Sequence, residues 1–222
     1  MKKKLTAILL VVCIAAITVS TASLAYFTDT QTVENVFAVG DVTIKLDEAK
    51  VELDADRHAQ LVAPEARVAG TQDYGKLYPG FSIKKDPTIT NTGSEKAYVG
   101  AKVVITTTNG VTDANKGIFD ALFSGGLLAN GAEAVVTKQL NNNAYEIYIV
   151  YNNVLDVAGE NKVNKVCLFD TLSIPAAYNN QDMAELEGLK ITVTAYAVQS
   201  VGMTDGALAA LKAAFDEFNH IS

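Results

Sequence analysis

Tyr98-Val99-Gly100-Ala101-Lys102-Val103-Val104-Ile105-Thr106-Thr107 is the stretch that decides the fold class. It is dominated by Val, Ile and Thr, whose branched side chains suit a pleated surface and lose rotamer freedom in a helix. It reads as a central strand, and period-two alternation can be followed from it in both directions. Upstream, Val42, Ile44 and Leu46 alternate with Thr43, Lys45 and Asp47, and Val51 with Leu53 continue after a short break. Phe81-Ser82-Ile83 and Thr88-Ile89-Thr90 flank Pro87, which lacks the amide a central ladder needs and so marks an edge or a bulge. Downstream, residues 135–140, 144–151, 163–174 and 189–198 repeat the pattern. Eight or nine strands are expected.

Asn91-Thr92-Gly93-Ser94, Asn109-Gly110, Asn130-Gly131 and Asn141-Asn142-Asn143 punctuate these runs. Asn and Gly supply the positive φ that tight turns require, so several runs should be hairpin-joined. The expected fold is therefore all-β, an antiparallel jelly roll or β-sandwich with short peripheral helices. One helix is expected over 113–123, ended by Gly125-Gly126. A second is expected over 205–218, opened by a capping Asp205 and striped by Leu208, Leu211, Phe215 and Phe218. Residues 54–78 mix charges with Ala, Pro and Gly and read as a long loop.

The N-terminus carries Lys2, Lys3 and Lys4 before an aliphatic run from Leu5 to Val19, the pattern of a secretory signal. Ser23-Leu24-Ala25 offers the small-x-small site of a signal peptidase, which places the cut between Ala25 and Tyr26. The alternative is an uncleaved anchor, although the run is short for a span of about 20 residues. Three organisational units follow: a signal at 1–25, an N-terminal segment at 26–40 and a β domain at 41–222. Cleavage would take 18 basic residues to 15 against 25 acidic ones, a formal charge of −10. Such a chain is a poor partner for nucleic acid, whose phosphates call for clustered Lys and Arg. Of the two cysteines, Cys13 falls in the signal, so Cys167 is left without an intramolecular disulfide partner.

Chemistry is sparse. A zinc site needs imidazoles converging on one ion, and His58 and His220 are scattered. Cys167 alternates with apolar neighbours in Lys165-Val166-Cys167-Leu168-Phe169 and reads as an inert buried thiol. Asp47-Glu48 and Asp54-Ala55-Asp56 read as a solvated acidic face. No catalytic residue, metal ligand or cofactor is assigned, and an enzyme is not expected. The segment after the cut is different: Tyr26, Phe27, Thr28, Asp29, Thr30, Val33, Val36 and Phe37 make a β-prone arm. It could fold as an ordinary first strand in its own sheet, or add to the sheet edge of another copy. Arms donated in one direction give a head-to-tail filament.

The chain resembles the TasA/camelysin family of exported Gram-positive proteins. The resemblance rests on the junction Ala25-Tyr26-Phe27-Thr28-Asp29-Thr30-Gln31, on Asn35-Val36-Phe37-Ala38-Val39-Gly40 and on Tyr78-Pro79-Gly80-Phe81-Ser82-Ile83-Lys84-Lys85-Asp86-Pro87. Thr90-Asn91-Thr92-Gly93 and Thr194-Ala195-Tyr196-Ala197-Val198-Gln199 add to it. It implies a jelly-roll subunit, secreted to the extracellular matrix or cell surface, that polymerises with itself into biofilm fibres through its N-terminal donor strand. The implied partners are a dedicated signal peptidase during export and an anchoring or accessory matrix protein. Some family members have been described as metallo-endopeptidases, the second expectation, for which this sequence shows no zinc motif.

Overall fold

The computed structural model describes residues 28–31, 42–63, 66–123, 125–127 and 134–221. Its strands, in chain order, are β1 (Thr28–Gln31), β2 (Ile44–Ala49), β3 (Val51–Leu53), β4 (Ala59–Leu61), β5 (Arg67–Val68), β6 (Ser82–Lys84) and β7 (Thr88–Asn91). After these come β8 (Ala97–Thr106), β9 (Ala134–Asn141), β10 (Ala144–Tyr151), β11 (Lys165–Cys167), β12 (Thr171–Ser173) and β13 (Lys190–Gln199). Three short helices, α1 (Lys116–Asp120), α2 (Asn180–Glu185) and α3 (Gly206–Ala214), lie between or after them, with a 3-10 turn at Asp216–Phe218. The described chain is all-β, and every strand pairing is antiparallel.

A five-stranded sheet in the order β1-β13-β8-β10-β9 organises the molecule. Alternation along β8 is obeyed: Val99, Ala101, Val103 and Ile105 are fully buried, while Tyr98, Lys102, Val104 and Thr106 on the other face are half-buried. The buried face shares one continuous apolar core with Ile44 of β2, Ile83 of β6 and Ile89 of β7. The second sheet has the order β11-β7-β2-β5, and the pairs β12-β6 and β3-β4 are separate two-stranded ladders.

The opposite face of the five-stranded sheet is covered as well. Tyr148, Val150, Tyr196 and Val198 pack against Ala207, Ala210 and Leu211 of α3, with Phe218 and Ile221 beyond it. With both faces covered, all eight residues of β10 are buried. Gly100 makes the close docking possible, because a Cβ there would stand 2.9 Å from Leu211 Cδ1 and 3.0 Å from two ring carbons of Phe218. Tyr196, opposite Gly100 in the ladder, lays its ring edge-on to Phe215 and Phe218.

Several local expectations change. Residues 54–78 are not structureless: β4 closes a hairpin on β3, β5 pairs with β2, and His58 bridges Gly75. Strand 163–174 is broken into β11 and β12, which pair with β7 and β6 respectively. The break falls opposite Pro87, whose carbonyl accepts from Leu168 while Lys85 donates to Asp170 O, so the ladder bends around the proline as a strand proline requires. The helix over 113–123 shortens to α1, and Asn115 at its start makes no side-chain cap. Asp205 likewise does not cap α3, and extended Phe215 breaks 205–218 into a helix and a 3-10 turn. Helix α2 was not anticipated, although Asn179 and Asp182 form a reciprocal capping box that the residues Asn-x-x-Asp could have signalled. The Asn142-Asn143 turn joins β9 to β10 with both φ positive, as its sequence predicts.

Candidate functional site

Two chain segments distant in sequence meet at one edge of the five-stranded sheet. β1 pairs antiparallel with β13, setting Thr28 opposite Val198, Asp29 opposite Ala197, Thr30 opposite Tyr196 and Gln31 opposite Ala195. On its other side β13 pairs with β8 along its whole length, from Lys190 to Gln199. The edge from Lys190 to Thr194 has no strand partner among the described residues beyond β8.

Residues 189–193 of this edge line one wall of a cleft of about 760 Å³. Its apolar lining includes Leu46, Leu77, Ile191 and Val193, all half-buried, with Pro87 and Leu172 beneath. The facing wall is a strap formed by residues 68–75, fastened down by a network of charges. Arg67, at the head of the strap, donates from Nε to Asp47 Oδ1 at 2.6 Å and from Nη1 to Asp86 Oδ2 at 2.9 Å. Its Nη2 reaches both carbonyl oxygens of the same residues, at 2.9 and 3.0 Å. A planar guanidinium suits this geometry because its donors lie in one fixed fork. Gln72 repeats the fastening at mid-strap, donating to Glu48 Oε1 and Ala49 O and accepting from the amide of Val51. At the strap's end Gly75, with φ +64°, comes so close to the carbonyl of Arg57 that any Cβ would overlap it.

Asp47 and Glu48 are therefore not a solvated acidic face. Both are buried and ion-paired, Asp47 with Lys45 and Arg67, Glu48 with Lys85 at 2.6 Å. Lys85 is itself buried and sits 4.6 Å from the centroid of the Tyr74 ring. Burial of charge is tolerable here because each group keeps a partner and hydrogen bonds. Burial alone would raise the Asp47 carboxyl; hydrogen bonds from Lys45 and Arg67 outweigh it and hold it below its usual range. Asp86 is lowered in the same way against burial, by the Ala49 amide and by Arg67 and Lys84. The second acidic cluster is an exposed turn in which Asp54 Oδ1 accepts from the amides of Asp56 and His58.

The remaining predicted residues are dispersed. Thr28, Asp29 and Thr30 lie in β1; Ser23, Ala25, Tyr26, Phe27, Val33, Val36 and Phe37 lie outside the described residues. His58 contacts Asp54 at 3.8 Å and packs edge-on against Tyr78. His220 packs against Tyr148 near the end of the chain. Among the described residues no group of three or more His, Cys, Asp and Glu side chains is placed to hold a metal ion. Cys167 is half-buried and donates to Phe169 O; burial, then the negative charge of Asp86, pushes its thiol up. Among the described residues no helix is long and apolar enough to cross a membrane.

The clasp and the cleft were missed in the sequence because their parts are spread over residues 46–193. The only local signal was Leu46-Asp47-Glu48, two acids interrupting a buried strand pattern. Comparison of the chain with protein-family models, with curated proteins and with solved structures finds no match.

Proposed function

We propose that this protein is a secreted structural subunit of extracellular matrix fibres, assembled head-to-tail by exchange of its N-terminal strand. The observation that carries the reading is the pairing of β1 with β13 at the edge of the five-stranded sheet. A strand that belongs to the start of the chain, and is separated from β2 by residues 32–43, can complete the same edge in another copy with the same backbone hydrogen bonds. Because donor and acceptor surfaces differ, the contact does not close on itself and propagates. The signal-like N-terminus and the resemblance to the TasA/camelysin family point the same way, as does an antiparallel two-sheet architecture compatible with a jelly roll. Removal of residues 1–25 by a signal peptidase would free the arm.

The test is negative-stain electron microscopy of chain beginning at Tyr26. Fibres are expected, and they should disappear when Tyr26 to Gln31 are deleted. A protein that stays monomeric over a wide concentration range sinks the reading.

A further inference from the structure

Lys85 and Glu48 form the most deeply enclosed ion pair among the described residues: Lys85 Nζ stands 2.6 Å from Glu48 Oε2, with the two side chains 7% and 9% exposed. Every other ion pair among them keeps at least one side chain 20% exposed or more. Holding two charges out of water is costly even when they are paired, and joining them as a neutral amide removes both charges at once. We propose that this pair is the site of a spontaneous intramolecular condensation, in which Lys85 Nζ and Glu48 Cδ become joined by an isopeptide bond and one water leaves. The proposal is independent of the fibre reading.

The surroundings supply what the reaction needs. Gln72 Oε1 accepts from the Val51 amide at 2.8 Å and Nε2 donates to Ala49 O at 2.9 Å, which fixes the orientation of the carboxamide. The same Nε2 donates to Glu48 Oε1 at 3.0 Å. That oxygen remains as the amide carbonyl, and the Gln72 donor stabilises the negative charge that develops on it in the tetrahedral intermediate. Oε2, on the lysine side, is the oxygen that leaves. The Tyr74 hydroxyl lies 3.5 Å from Nζ, and burial followed by the charge of Glu48 pushes its titration up, so it stays protonated and can pass a proton from the nitrogen to Oε2. In balance, one proton moves from the Lys85 ammonium to Oε2, the amine lone pair attacks Cδ, a second proton follows to the same oxygen, and the Cδ–Oε2 bond breaks to release water into the cleft that both residues border. Groups held in place in this way reach effective molarities of about 10⁵ to 10⁸ M. The bond ties β2 to the segment between β6 and β7, closing a loop that contains the β3–β4 hairpin and the strap. Such a closure restricts the unfolded chain as a disulfide would, in a molecule whose Cys167 is free.

The test is intact-mass spectrometry of purified chain beginning at Tyr26, followed over time at neutral pH. The mass should settle one water below that of the sequence, and proteolysis should yield one branched peptide that contains both Lys85 and Glu48, with trypsin unable to cut after Lys85. Lys85→Met combined with Glu48→Leu leaves no lone charge buried, and this double variant should keep its full sequence mass. Gln72→Leu should slow the mass change about a hundredfold. A folded parent chain that keeps its full sequence mass overturns the proposal. So does a water loss that maps to a peptide lacking either residue, or one that persists in the double variant. A mass change in Gln72→Leu at the parental rate overturns the part given to Gln72.

Discussion

Gly100 faces Leu211 across the outer surface of the five-stranded sheet, and the missing Cβ is what lets the last helix lie on the strands. Leu211 Cδ1 stands 2.9 Å from where that carbon would be, and Phe218 fills the space beside it. Gly100→Val should therefore push α3 and Phe218 off the sheet. The expected cost is about 2 to 3 kcal/mol, read as a lower urea midpoint, and the larger side chain should also uncover Tyr148 and Tyr196 to solvent. An unchanged midpoint would mean that the helix docks elsewhere.

The clasp at Arg67 gives a second prediction. Its guanidinium is the shared partner of Asp47 and Asp86, both nearly excluded from solvent. Arg67→Met keeps an unbranched apolar stem and removes the guanidinium, leaving two carboxylates whose remaining ion-pair partners among the described residues are Lys45 and Lys84. A loss of about 3 kcal/mol is expected. Hydrogen exchange should localise the opening to residues 66–75 and to β2, while β8 and β10 keep their protection. Uniform loss across both regions would show that the strap is not a separate fastening.

Acid provides the third. Glu146 lies buried on the outer face of β10, where burial alone would raise its carboxyl. The ion pair with Lys102 at 2.8 Å and hydrogen bonds from Gln139 and Tyr148 reverse this and lower it from 4.5 to about 2. A carboxyl lowered by folding contributes stability that is complete above its unfolded value and is lost as pH falls toward its folded value. Stability should thus decline between about pH 4.5 and about pH 2, with Asp47 and Asp86, also lowered, adding to the slope. Glu146→Gln should flatten that slope and reduce stability at pH 7, measured as urea midpoints at pH 7, 4.5 and 3. A variant whose slope equals that of the parent would show that Glu146 carries no linkage.

Much of the architecture was legible before any coordinates because strand periodicity is a local property. Val99, Ala101, Val103 and Ile105 alternate in sequence and all end on the core face. Asn142 and Asn143 adopt the positive φ that their turn demanded, and in the hairpin they close β10 has its expected limits while β9 is one residue longer at each end. Where a local pattern misled, a partner distant in sequence was responsible. Residues 163–174 read as one continuous strand, and Pro87 across the ladder breaks them into β11 and β12.

The sequence by itself determined that this chain is built from antiparallel strands with helices at the periphery, since alternation, turn residues and the scarcity of long apolar helical stripes are written in neighbouring residues. Only the tertiary structure decided which strands are neighbours, that β1 lies beside β13, and that Arg67, Asp47 and Asp86 meet. Those contacts join residues 19 to 170 positions apart. Their energies depend on burial and geometry that no local window contains, because a carboxylate in a strand pattern is a solvated charge or a buried clasp according to what the rest of the chain brings to it.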